Sequence, residues 1–313
     1  MKTGAFIVPT GIGASIGGYA GDASTYARLL SNKCKLIVNP NVVNAACFSG
    51  INDNMLYTEG YTLDEFFKGN CCLQESKNNK IGVIFDKAIP KDVLNIHINT
   101  INAVKTVYGI NVFGYKITDE EVGVNFFVDI SGSSTGNIEN LGTLYKAAAE
   151  LISEGAEALA IVCLFPEDNN SDYSKGNGVD PVGGAEAIIS HFISKEFKVP
   201  CAHAPAFANY QIDSKLVSPK CAAEYITPTF LPCILIGLNN APKISDTGLS
   251  VDDVDFIAVP YNAIGSIPVL EMNKRNKKIY AIKGNNTVLN VTPMNFNVNC
   301  DIINVYDELA ELL

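Results

Sequence analysis

Ala158-Leu159-Ala160-Ile161-Val162-Cys163-Leu164-Phe165 is eight apolar residues without one polar interruption. A run of that length with no in–out alternation predicts a central strand covered on both faces, the usual state of strands in a parallel sheet enclosed by helices. Its surroundings repeat the pattern. Residues 138–153 predict a helix ended by Gly155. After a polar loop over residues 166–181 come a helix at 184–195 and a short strand, Val199-Pro200-Cys201-Ala202. Further strands are expected at 5–8, 35–39, 81–85, 112–117, 124–130, 232–237, 256–260 and 278–283. Further helices are expected from Asp22 as cap to Ser31, from a Thr62/Glu65 capping box, over 90–108, and over 265–273. Repeated β–α alternation predicts a mainly parallel, doubly wound, Rossmann-like sheet with helices on both faces. The 313 residues fit a single α/β unit, with two lobes (1–80 plus 156–313, and 81–155) as the variant.

In such sheets ligands bind beyond the carboxyl ends of the strands. The first such end is rich in glycine: Thr10-Gly11-Ile12-Gly13-Ala14-Ser15-Ile16-Gly17-Gly18-Tyr19-Ala20-Gly21-Asp22. Glycines permit φ > 0 and close backbone approach, and a helix starting nearby aims its positive end the same way. Gly11, Gly13, Gly17 and Gly18 are therefore expected to hold an anion through their amides, although the spacing matches neither the dinucleotide fingerprint nor a Walker loop. Arg28, one of only two arginines, is the guanidinium nearest this turn and is expected to clamp a carboxylate. Other strand ends supply Asn41, Glu167, Lys175 and Asp180 as binding or acid–base groups. Asp168 is a further candidate from the same loop.

Cys201-Ala202-His203-Ala204-Pro205 places a thiol and an imidazole two residues apart, on one face of an extended chain. His203 is the expected proton carrier, with Glu167 and Cys201 as the other catalytic candidates. Against these stand plainer roles. His203 can be a loop histidine bonded to backbone, the cysteines core fillers, and the glycine turn a tight connection without ligand. The nine cysteines are scattered and include no Cys-x-x-Cys pair, and there are three histidines, so no regular zinc site is expected. No nicotinamide, flavin, pyridoxal or metal signature appears, and cofactor-free chemistry is the expectation.

A net charge of −10 argues against nucleic acid or an anionic membrane as partner. With no apolar run of spanning length and no evident secretory leader, a cytoplasmic protein with reduced thiols is expected. The expected partner is a small anionic metabolite, and a homo-oligomer stays open.

The segments PTGIGASIGGYAGD (9–22), Asn39-Pro40-Asn41-Val42, Glu59-Gly60-Tyr61, Gly178-Val179-Asp180-Pro181 and Pro200-Cys201-Ala202-His203-Ala204-Pro205 occur together in this chain. In them it resembles a conserved domain-of-unknown-function family of cyanobacteria, plants and other bacteria. The resemblance runs along almost the whole chain and implies one coherent unit without implying a reaction. Its distribution among organisms with a shikimate route directs the expectation to a lyase eliminating pyruvate from chorismate. A two-cysteine racemase or epimerase (Cys201 with Cys233) and a non-catalytic metabolite binder are the alternatives. A binder keeps its affinity when His203 is removed.

Overall fold

The computed structural model describes residues 1–167, 172–210, 212 and 214–313. Its β–α alternation builds two parallel sheets instead of one. The larger has the order Asp301–Ile303, Lys278–Ile282, Phe256–Pro260, Thr3–Phe6, Lys35–Val38, Met55–Tyr57, with every pairing parallel. The smaller runs Cys201–Phe207, Ala158–Phe165, Ile81–Phe85, Val112–Ile117, again all parallel. As its composition predicts, Ala158–Phe165 is an interior strand, and all but Leu164 are buried. The two ends of the chain therefore make one sheet and its middle makes the other. Strands 158–165 and 201–207 sit beside 81–85, so sheet membership does not follow the division at residue 155.

One apolar cluster joins the sheets. It contains Phe6, Leu36 and Val38 from the first, Val83, Val162 and Ala204 from the second, and Leu235 between them. Burial of this shared surface, at about 25 cal/mol per Å², is what holds the halves as one mixed α/β unit. Separate clusters seat helix Gly60–Lys68 on the outer face of the first sheet and helices Leu141–Ser153 and Gly183–Phe197 on that of the second.

Several local expectations are corrected. Residues 232–237 lie in a helix, Leu231–Asn239, with Pro232 in its first turn. A short apolar run has no periodicity to separate strand from buried helix, and proline without its N–H suits a helix start. Helix Gly60–Lys68 is capped by Glu59, whose carboxylate accepts the amides of Tyr61 and Thr62; Thr62 lies inside the helix. Helix Ser24–Ser31 has no side-chain cap, because Asp22 turns back to accept from the Gly17 amide. The strand around His203 is longer than expected, Cys201–Phe207, and includes Pro205. It lies at the sheet's edge, where a missing N–H costs no ladder bond. Residues 134–138 form an additional strand, paired antiparallel with 124–128.

Candidate functional site

The carboxyl ends of strands from both sheets open onto one cavity of about 690 Å³. From the first sheet come Pro9 and Thr10 after Thr3–Phe6, Asn39 and Asn41 after Lys35–Val38, and Glu59 after Met55–Tyr57. From the second come Glu167 after Ala158–Phe165, and His203, Pro205 and Phe207 from the edge strand. Helix Gly183–Phe197 supplies Glu186, Ser190 and His191, and the segment around the Ala222–Tyr225 turn supplies Glu224. Convergence at strand carboxyl ends is what a doubly wound architecture predicts. Not every strand end contributes. Asp86, after Ile81–Phe85, is buried and accepts the amides of Ala88, Val122 and Leu164, and beyond Phe256–Pro260 the described lining takes Ser266 and Pro268 in place of Tyr261 and Asn262.

The described lining contains no lysine or arginine, and its acidic side chains are Glu59, Asp64, Glu167, Asp180, Glu186 and Glu224. Glu224 accepts from the Tyr173 hydroxyl at 2.8 Å and from the Ala20 amide at 3.2 Å. Burial, reinforced by Asp180, pushes its pKa up to about 8, so it carries a proton at neutral pH. Glu186 is only 7% exposed and its Oε1 has no hydrogen-bond partner. Burial and the charges of Asp180 and Glu224 push it well above the ordinary carboxylate range. Asp180 Oδ1 accepts the amides of Val182 and Gly183 at the start of the same helix.

His203 Nδ1 lies 2.8 Å from Ser190 Oγ, and Ser190 Oγ lies 3.3 Å from the Ala187 carbonyl. One tautomer makes both bonds: Nδ1–H donates to Ser190, Ser190 donates to Ala187, and Nε2 keeps its lone pair. Burial drops the His203 pKa to about 3. Near neutral pH His203 is therefore a neutral imidazole, placed in mid-strand and not in a loop, because desolvation penalises the imidazolium. His191 Nε2 stands 3.8 Å from Glu59 Oε2.

The glycine turn folds as expected but spends its groups differently. Gly11, Gly13 and Gly17 have positive φ. The Gly17 amide donates to Asp22, the Ile16 amide to Asn285 and the Ala20 amide to Glu224, so the chain's own side chains take positions reserved for an anion. Only Gly18 of the four expected glycines lines the cavity. A methyl on Gly18 would stand 2.0 Å from the Ala14 carbonyl oxygen, which makes this glycine a packing requirement. Asn41 lines the cavity, with its amide nitrogen donating to the Val8 carbonyl at 3.2 Å and to the Gly17 carbonyl.

Arg28 is exposed beside Thr25 and does not line the cavity, correcting the expected carboxylate clamp; its helix turns that face to solvent. Lys175 is likewise exposed, pairs with Asp172 at 3.0 Å and lies outside the lining. Cys201 shares a strand face with His203, as spacing predicts, but is sealed in the core with its thiol pushed far up by burial. Cys233 reaches the wall from a helix, donates to the Phe230 carbonyl and is pushed up to about 12. Neither thiol is a thiolate near neutral pH. Asp168 lies outside the described residues. Among the described residues, no three His, Cys, Asp or Glu side chains form a group that could hold a metal ion.

Glu186 and Glu224 are the contributors that sequence reasoning missed. Glu186 left a signal, since it and Ser190 occupy an i, i+4 pair on the same helix face as Ala185, Ile189 and Ile193. A polar pair on an apolar stripe marks a buried polar site. Glu224 left none, because its turn is four residues long, too short to carry a periodicity.

Fold and cavity together define a two-sheet parallel α/β protein with a carboxyl-lined pocket at the strand ends. The chain belongs to the family described as "Protein of unknown function (DUF3326)", whose model matches residues 3–313. It is 40% identical over 307 residues to an uncharacterised lipoprotein of Synechococcus, covering 95% of this chain and 85% of the relative. That name corrects the expectation of a freely cytoplasmic protein. No helix among the described residues is long and apolar enough to cross a membrane. No solved structure matches the chain.

Proposed function

We propose that the protein is a cofactor-independent acid–base enzyme that breaks a carbon–oxygen bond in a small polar molecule. The observation carrying this proposal is the pairing, in one cavity, of a carboxylic acid that keeps its proton (Glu224) with an imidazole that lacks one (His203). Oppositely displaced titrations are how one site runs acid and base chemistry at the same pH. Glu224 gives its proton to the departing oxygen as the carbon–oxygen bond breaks. The proton on the adjacent carbon passes to His203 Nε2, and its bonding electrons form the new double bond. The carboxylate created on Glu224 offsets the low basicity of His203, because it stabilises the imidazolium formed in the same cavity. Return of that proton to Glu224, directly or through water, closes the cycle.

The substrate class changes from the sequence expectation. A dianion of the chorismate type would meet carboxyl groups without a lysine or arginine in the described lining, so the charge balance favours a neutral or cationic molecule. The relative's name extends to this chain as a proposal that it works attached to a membrane, which fractionation of expressing cells checks.

The test is a ligand-shift thermal screen of neutral, cationic and carboxylated metabolites, followed by product analysis of the hits. Turnover should hold steady through neutral pH and fall as pH rises past about 8, where Glu224 loses its proton. A profile that rises through that range defeats the acid role of Glu224.

A further inference from the structure

The inner wall of the cavity combines three features that point to one kind of ligand. First, Glu186 lines a chamber of about 690 Å³, and its buried Oε1 has no partner. An unsatisfied buried polar group is destabilising, and such groups normally have a protein or solvent partner. Second, the charged and titratable groups acting on Glu186 and Glu224 are acidic, phenolic or thiol. Asp180 acts on both; Asp22, Tyr173, Tyr19 and Cys221 also interact electrostatically with Glu224, and Tyr57, Cys163 and Cys233 with Glu186. Third, the cation beside the glycine turn is engaged elsewhere. Lys220 donates to the Ser15 carbonyl at 2.7 Å, lies over the Tyr19 ring and is not part of the lining.

We infer that Glu186 receives the protonated amine of the substrate, so that the enzyme acts on an organic ammonium compound. This rests on the assignment of the cavity as the reaction site. An ammonium group brings three N–H donors and a positive charge. A donor can satisfy the Glu186 carboxyl, and the positive charge lets that carboxyl ionise beside Asp180. A neutral alcohol can supply a donor but brings no compensating charge, and a carboxylate adds a negative one. The ammonium takes the place of the proton on Glu186, which leaves to solvent, while Glu224 keeps its own proton for the reaction. Affinity therefore rises with pH, one proton is released for each ammonium bound, and binding weakens again only when the amine itself deprotonates.

The test uses the full chain and two matched sets of probes: cyclohexylmethylamine, cyclohexylmethanol and cyclohexanecarboxylate, and butane-1,4-diamine, butane-1,4-diol and butanedioate. Binding is measured by calorimetry across neutral to mildly alkaline pH, in two buffers of different ionisation enthalpy. The amines should bind at least tenfold more tightly than their partners and release close to one proton. Glu186→Gln, which keeps the shape of the neutral acid, should lose that preference and the proton release, whereas Arg28→Lys should keep both. Should Glu186→Gln fold poorly, proton release by the wild-type chain decides on its own. Alcohols or carboxylates binding as tightly as the amines, binding without proton release, or no binding by either amine overturns the inference. A second variant separates the two proposals. Ala187→Trp obstructs the cavity wall beside Glu186, so alcohol binding that it abolishes removes the ammonium class and leaves the acid–base site standing. Amine binding that survives Ala187→Trp places the ligand elsewhere and removes both.

Discussion

The glycine turn at residues 11–21 and the first turns of helix Gly183–Phe197 face the same cavity, and they treat their polar groups in opposite ways. In the glycine turn, amides meet acceptors from within the chain: Gly17 with Asp22, Ile16 with Asn285, Ala20 with Glu224. In the helix, Glu186 ends on an oxygen with no acceptor or donor opposite it, and a titration displaced by burial. Both segments have the composition of a binding site. The difference teaches that residue type nominates a site, whereas the hydrogen bonds the fold makes or leaves unmade separate a self-satisfied turn from a candidate site.

If the acidic wall does the chemistry and the glycine turn only shapes it, the two should respond differently to substitution. Glu224→Gln removes the transferable proton and should lower kcat by about 10²–10⁴-fold with a smaller change in KM. Turnover within a factor of a few of wild type would strip the acidic wall of its role. Gly18→Ala should act on the fold, since its methyl must displace the Ala14 backbone; about 3 kcal/mol of stability should be lost. Chemical denaturation reads that loss, and the affinity of the remaining folded fraction should stay near that of wild type. Selective loss of binding with unchanged stability would reinstate the glycine turn as an anion site.

Asp22 sharpens the comparison through pH. Burial pushes its pKa up from 3.8 to about 6 in the folded state. Because the folded value is the higher one, its contribution is fully present below about pH 4 and lost as pH rises through about 6. Allowing for partial exposure, the change is about 2 kcal/mol. Asp22→Asn keeps an acceptor for the Gly17 amide and should remove this pH-dependent loss, gaining on wild type between acid and neutral pH in denaturation curves. Parallel stability profiles for the two proteins would mean that the Asp22 carboxyl is not held as described. The smallest effect belongs to Arg28→Lys, expected within about 0.5 kcal/mol in stability and without change in ligand affinity; a tenfold loss of affinity would bring Arg28 back as a carboxylate clamp.

Much of the fold was legible locally. The unbroken apolar run 158–165 gave an interior strand, and Pro90 and Gly109 bracketed helix Lys91–Tyr108. These depend on periodicity and backbone preference, which act within a few residues. The run at 231–239 misled because an apolar helix and a buried strand carry the same composition when short. Two sheets in place of one also escaped, because β–α alternation says that strands pair in parallel but not which strands are neighbours.

The site divides along the same line. Sequence alone determined the parallel α/β class, the collection of polar residues at strand ends, and the placement of Cys201 and His203 on one strand face. Only the tertiary structure decided that Arg28 looks outward, that His203 stays neutral against Ser190, and that Glu186 and Glu224 line one cavity with Asp180. The physical reason is range. Backbone preferences and side-chain alternation are local, whereas desolvation and the repulsion between carboxyls depend on which distant segments exclude water together, and that is fixed only when the chain closes on itself.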